Sequence, residues 1–304
     1  MKISNFNKGI IATSVGSFWW GVIGVIYFQY FSFVGHIELV IHRCIWTALM
    51  LILTTTFLSK WKILFKIIKD FRKVFVLFLT AFLIFVNWTV WIYAVATNQI
   101  INASFGYFIM PILSVLFGYF IMPILSVLFG FIFFKEKLNK KRIISISLVI
   151  ISLCYLLYFF DTIPWVGLIV AIAWSIYNLL RKTINVDTDI GLLIESLFIF
   201  PFAIIGFYFL VKNGVNDFSL SNMPLMFWLL LAGPMTVIPL FLYVKGVELS
   251  GLGPTGMIFF ITPTFQFLLG FFYYNEPFSI QKFISFILIW IAVFIYLKDL
   301  YENN

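Results

Sequence analysis

The stretch HIELVIHRC, residues 36–44, gathers both histidines of the chain, a carboxylate, a guanidinium and a thiol into nine positions. On a helix Glu38 and His42, four apart, share a face, and Arg43 lies about 100° further round. Such a group suits a polar gate or proton-coupling site near the mouth of a membrane pathway. His42 would titrate and Arg43 would attract an anionic group of a substrate. The plainer alternative is a Glu–His or Glu–Arg pair that anchors the helix end. A metal centre from His36, Glu38, His42 and Cys44 is disfavoured, because these side chains spread around the helix.

Few other residues can do chemistry. Asn87 and Trp88 fall in the middle of an apolar run, with Trp91 and Tyr93 following. A buried Asn can bind a substrate amide or carboxylate between aromatic faces, or it can bond a neighbouring helix while the rings pack. Trp19 and Trp20 are adjacent, so only one of them can face a given side. Glu195 is a lone carboxylate one to two turns inside an apolar segment. It is a candidate proton site, or a partner for Arg181 or Lys182. Gln266 is a candidate substrate contact or an interhelical hydrogen bond. Pro111, Pro123, Pro201, Pro234, Pro239 and Pro263 interrupt apolar runs, and Pro123 and Pro263 are the candidates for kinks beside a cavity. No Walker-type phosphate loop occurs, and neither a cofactor nor a metal is expected.

The elements that position these residues follow from composition. Of 304 residues 63% are hydrophobic and only 11% charged, against about 25% charged in a soluble domain. Apolar runs of roughly 18 residues or more succeed one another, each long enough for an apolar core about 30 Å thick. Ten spans fit, near 9–32, 39–58, 74–96, 103–134, 143–160, 165–180, 190–211, 225–246, 254–274 and 280–297. The segment 59–73, SKWKILFKIIKDFRK, reads as an amphipathic connector. The net charge of +8 does not form a phosphate-binding patch, so nucleic acid is not an expected partner. Seventeen of the 20 Lys and Arg fall on one side of this topology, which predicts cytoplasmic termini.

A degenerate repeat links the two halves. YFIMPILSVLFGFIFFKE (119–136) and FFITPTFQFLLGFFYYNE (259–276) align Pro123 with Pro263, Ser126 with Gln266, Gly130 with Gly270 and Glu136 with Glu276. Five spans separate them, so the matched helices run in opposite directions, as in transporters built from inverted repeats. IELVIHRCIW (37–46), VNWTVWIYAVATNQIINASFGYFI (86–109), IPWVGLIVAIAWSIYNLLRK (163–182) and ITPTFQFLLG (261–270) together resemble the RarD branch of the EamA drug/metabolite transporter superfamily. The resemblance covers nearly the whole chain. It implies an all-α bacterial inner-membrane permease of ten transmembrane helices, with a central cavity between two five-helix repeats, 1–160 and 161–304. Its partners would be membrane lipid and a small organic metabolite or drug, with proton or exchange coupling. A membrane enzyme acting on a lipid or lipid-linked substrate is the alternative, and only the 36–44 cluster offers it chemistry.

One feature departs from the family pattern. FGYFIMPILSVL occurs twice in succession, at 105–116 and 117–128. Tyr93 to Pro111 is 18 residues and Tyr243 to Pro263 is 20, whereas Tyr93 to Pro123 is 30, so twelve residues are surplus. As one helix, 103–134 would reach about 48 Å, well beyond the apolar core. Twelve residues also rotate a helix by about 120° beyond three full turns, so the two copies cannot present the same face. The expectation is a long, kinked or protruding helix produced by tandem duplication. Deleting 105–116 is expected to leave fold and topology intact, with reporters fused to either terminus still facing the cytoplasm.

Overall fold

The computed structural model describes residues 4–104, 107, 140–158, 165–250, 255, 258–276 and 280–303. Apart from Tyr107, the doubled segment, with Pro111, Pro123 and Ser126, lies outside the described residues, as do Gly130 and Glu136. Every regular element among those described is helical. They are α1 (Asn5–Tyr30), α2 (His36–Phe57), α3 (Trp61–Ile68), α4 (Phe71–Ala96), α5 (Lys140–Tyr158) and α6 (Trp165–Lys182). They continue with α7 (Thr188–Lys212), α8 (Met223–Leu230), α9 (Ala232–Ser250), α10 (Ile261–Leu268) and α11 (Ile280–Asn303), and a further helix starts at Ile100. Among the described residues, five stretches are long and apolar enough to cross a membrane: α1, α2, α4, α7 and the Leu220–Ser250 stretch that includes α8 and α9. Shorter apolar helices lie at Trp165–Arg181 and Phe283–Ala292. Large apolar side chains such as Phe57, Phe82, Phe202 and Phe294 point outward, as lipid-facing residues do.

Polar side chains punctuate the helices. Ser4, Asp70 and Asn222 cap the starts of α1, α4 and α8 by accepting from the backbone N–H groups of Asn7, Lys73 and Leu225. Ser59, Asn98 and Asn275 take left-handed backbone conformations after α2, α4 and the α10 segment. The following residue then donates back into the last turn: Lys60 to Thr55, Gln99 to Ala94 and Glu276 to Gly270. α3 is the amphipathic connector, with Leu64 and Ile67 buried and Lys62 and Lys66 exposed.

Tertiary packing is organised by pairs. α1 packs on α9 and α4 on α6; α2 packs on α7; α2 also meets α9 as α7 meets α4; α5 packs on α11. The α1–α9 pair is held close by small residues. Gly9, Thr13, Gly16 and Ser17 form one buried stripe, and a Cβ on Gly16 would sit 2.9 Å from the Pro239 carbonyl oxygen. Across the seam, a Cβ on Gly246 would fall 3.0 Å from the Gly9 carbonyl oxygen. Between helices in lipid the gain comes from such close packing, because the surrounding chains are as apolar as leucine. Gly16→Leu is expected to force these helices apart and cost about 1–3 kcal/mol of stability. Thermal denaturation in detergent checks this, with lipid-facing Ile11→Ala expected to melt like the parent.

Candidate functional site

A small cavity lies at the meeting point of α1, α2, α4, α6 and the α10 segment. Trp20, Arg43, Asn87, Trp88, Trp91, Tyr107, Trp174, Phe259, Thr262 and Gln266 line it. Its volume is about 20 Å³, room for about one water molecule. Its aromatic rings leave little free space between them.

Arg43 is delivered to this cavity from the first half of α2. Gly35, at φ +89°, makes the sharp entry to that helix, a backbone conformation that side chains with a Cβ rarely adopt. Arg43 is 4% exposed, and its guanidinium lies 4.6 Å from the Trp88 ring centroid, 5.2 Å from Phe28 and 5.5 Å from Trp91. These rings supply cation–π attraction, worth about 0.5–2 kcal/mol each. Nε and Nη1 have no hydrogen-bond partner, and no described carboxylate forms an ion pair with the group.

Gln266 faces the cavity from the other half of the chain. It is 1% exposed, and neither amide atom has a partner. Its helix is interrupted just before it, where Phe259 and Phe260 form a turn. Pro263 has no N–H to offer the Phe259 carbonyl, which accepts from Thr262 instead at 2.9 Å. The Thr262 hydroxyl then ties the segment to α1 by donating to the Ser17 carbonyl at 2.9 Å. α1 carries a π-helical turn at Trp19–Ile23, and a second one, Leu269–Tyr273, follows α10. The extra residue of such a turn re-aims side chains; of the adjacent pair, Trp20 faces the cavity and Trp19 does not. Asn87 borders the cavity and donates Nδ2 to the Val170 carbonyl at 3.1 Å, joining α4 to α6.

Glu38 and His42 do not reach this cavity. The Glu38 carboxylate accepts from the backbone N–H groups of Asp217 (2.9 Å) and Phe218 (3.1 Å), fastening the loop after α7 over the end of α2. Trp46 donates its indole N–H to Nδ1 of His42 at 3.1 Å, which leaves Nε2 to donate to Glu38 at 3.3 Å. The imidazole packs against the rings of Phe207 and Phe218. Partial burial and the Glu38 charge hold the neighbouring Asp217 carboxyl above its ordinary value. Tyr93 lies at the same end, its ring between His36 and Trp165.

At the opposite end Glu195 is 1% exposed and fully engaged. It accepts from Thr80 on α4 at 2.7 Å and from Tyr177 on α6 at 3.2 Å, and pairs with Arg181 at 3.5 Å. Tyr177 stacks on the cavity residue Trp174 at 5.2 Å. Beyond this cluster, Lys60 reaches Asp189 at 2.5 Å and Lys245 reaches Glu248 at 2.7 Å. These charged groups rim a cleft of about 310 Å³.

The structure thus brings Arg43, Asn87, Trp88 and Gln266 into one cavity and places Glu38, His42 and Tyr93 at one end of it and Glu195 toward the other. Trp174, Tyr107, Phe259, Thr262 and Thr80 are additions that sequence reasoning did not single out; only the proline of TPTFQ hinted at the break beside Phe259. Glu276, aligned in the degenerate repeat without a role, accepts from the backbone N–H groups of Ile100 (2.7 Å) and Ile101 (2.8 Å). It caps the helix that starts there.

The described architecture is that of a multi-pass helical membrane protein, and the relatives are named as transporters. The chain is 31% identical over 299 residues to the uncharacterized transporter YojE of Bacillus subtilis, covering 97% of this chain and 95% of the relative. It is 31% identical to an uncharacterized transporter of Vibrio cholerae (96% and 92% covered) and 28% identical to Protein RarD of Escherichia coli (98% and 97%). No family model matches. The chain belongs to the RarD-type permeases.

The anchoring of the α7–α8 loop can be tested directly. Glu38→Gln presents one oxygen acceptor where the carboxylate presents two and is expected to cost about 1–3 kcal/mol. Limited proteolysis and amide exchange should show loosening confined to residues 213–222.

Proposed function

We propose that this permease is a secondary transporter that moves a small organic metabolite across the cytoplasmic membrane by alternating access. Two five-helix halves of inverted topology, 1–160 and 161–304, rock about the central cavity, and both termini face the cytoplasm. One observation carries the reading: the small cavity takes its lining from both halves, with Arg43, Asn87 and Trp88 on one side and Trp174, Phe259 and Gln266 on the other. The packing pairs support it. Shifting each helix by five spans turns the α1–α9 pair into α6–α4 and the α2–α9 pair into α7–α4, and it returns α2–α7 and α5–α11 to themselves. Two repeated halves exchange partners in this way, and an odd number of spans in each half would make their orientations opposite, which supports the reading.

Polar locks close both ends. The Glu38 carboxylate and the 213–222 loop seal the predicted outer side, while the Glu195–Arg181 and Lys60–Asp189 contacts join helices on the cytoplasmic side. A cavity this small admits a metabolite only when one lock opens. Glu195 is the coupling group in this reading, since protonation would release Arg181 and loosen the α4–α6–α7 junction. The enzyme alternative is weakened by the same geometry, because Glu38 and His42 are committed to each other and to the loop backbone.

Reconstitution in proteoliposomes tests the proposal. Flux of at least one metabolite in a broad screen should exceed that of empty vesicles, and no such flux contradicts transport. Glu195→Gln is expected to abolish accumulation driven by a pH gradient by at least ten-fold while leaving substrate exchange in place.

A further inference from the structure

The unpaired polar atoms of the cavity are strongly biased toward donors. Arg43 contributes Nε and Nη1, Trp91 and Trp174 each contribute an indole N–H, and Gln266 contributes its amide nitrogen. Against these five donor atoms stands one unpartnered acceptor, the Gln266 carbonyl oxygen. All four residues line the same cavity. Arg43 and Gln266 are more than nine-tenths buried, so bulk water does not satisfy them, and each unsatisfied buried donor is costly.

We infer that the transported molecule is a small organic monoanion, a carboxylate on a planar apolar body, whose carboxylate docks on Arg43. The inference rests on the transport reading above and narrows its substrate class. A guanidinium presents parallel N–H groups that match the two oxygens of a carboxylate, and the charge-assisted pair is about twice as strong as a neutral hydrogen bond. The surrounding walls are flat: Trp20, Trp88, Trp91, Trp174 and Phe259 offer ring faces for the body of the ligand. Gln266, facing from the opposite half, can hydrogen-bond a second polar group on the ligand. A dianionic phosphate fits this site poorly, because Arg43 is the one cation among the described lining residues and six of the other nine are aromatic. An organic cation meets like charge and a single acceptor.

The test uses the purified full-length chain in detergent and matched probes: phenylacetate and indole-3-acetate, their primary amides, and the amines phenethylamine and tryptamine, with inorganic phosphate as a further arm. Binding is read by thermal shift and by quenching of the cavity tryptophans. The acids should bind at least ten-fold more tightly than their amides, a difference set by the charged hydrogen bonds, and phosphate and the amines should give no comparable shift. Arg43→Gln should remove the preference for acid over amide. Arg43→Lys, which keeps the charge but not the fork, should retain part of it, and Gln266→Leu should weaken binding a few-fold while leaving the acid preference in place. Equal binding of acid and amide, stronger binding of amine or phosphate, no binding by either acid, or a preference that survives in Arg43→Gln would each overturn the inference. If Arg43→Gln does not fold, the parent's acid-to-amide ratio and Arg43→Lys decide the matter. Flux is scored separately. Arg43-dependent binding without counterflow overturns the transport reading and leaves the anion site standing, whereas robust flux of neutral compounds alone does the reverse.

Discussion

A lipid interior offers no hydrogen bonds, so every polar group carried into it must find a partner in the protein or be served by something that visits. This constraint sorts the buried polar residues into two populations. Glu38, Glu195 and Glu276 spend their carboxylates on groups distant in sequence: two loop N–H groups, a three-helix cluster, and the start of another helix. They bind the bundle together. Arg43 and Gln266 have been brought equally deep and remain incompletely served. These three carboxylates lie outside the lining of the cavity, whereas Arg43 and Gln266 are part of it. A carboxylate in one of the anchoring positions offers two oxygens and about four lone-pair sites, where a neutral amide or hydroxyl offers one oxygen and two.

The anchoring groups also explain why the central space is so small. With the Glu38 anchor and the Glu195 cluster both intact, the helices that line the cavity are drawn together from both ends, and the rings of Trp20, Trp174, Tyr243 and Phe259 meet one another in the middle. The glycine seam between α1 and α9 keeps two of these helices in backbone contact. A seam of small residues without interlocking side chains can serve as a bearing as well as a clamp, since few side chains must unlock for one helix to move over the other. Breaks in helical regularity fall beside the cavity, at the π turn holding Trp20 and at the Phe259–Phe260 turn, where a local change in backbone angle moves lining side chains most.

Much of the architecture was legible in the sequence because a membrane imposes crude, readable rules. Apolar runs located the five long spans of the described residues, the lysine-rich 59–73 segment announced a connector, and the quoted motifs pointed to the family. Helix faces were harder to read. In a chain that is 63% hydrophobic, lipid-facing and core-facing positions carry the same residue types, so periodicity does not separate Phe82, which faces outward, from Ile84, which is buried. The polar residues Arg43, Asn87 and Gln266 could be recognised as candidates because they are rare in such runs. Their assembly into one cavity depended on packing between spans far apart in the chain. The same reasoning explains why Thr80 and Trp174 passed unnoticed: a threonine or tryptophan in an apolar helix is ordinary until a carboxylate or a cavity stands opposite it. The 36–44 cluster shows the reverse. Its neighbours in sequence divide by helix face, Glu38 and His42 turning to the loop and Arg43 to the interior, as the angular offset of about 100° requires.

That division has a chemical consequence for Arg43. Had the helix register placed Glu38 and Arg43 on one face, the carboxylate would neutralise the guanidinium, and any incoming anion would first have to displace a bidentate ion pair. Held instead by three ring faces, the cation is stabilised by contacts that do not occupy its N–H groups. Each such contact contributes about 0.5–2 kcal/mol, while a charged hydrogen bond contributes about 1.5–3. An anion therefore gains by docking without the aromatic cradle having to come apart, and on leaving it returns the guanidinium to a tolerable resting state. A carrier needs both halves of that balance, because a site that binds too well cannot release. An aromatic cradle gives a buried charge enough stability to persist and leaves its hydrogen-bonding edge available for the cargo.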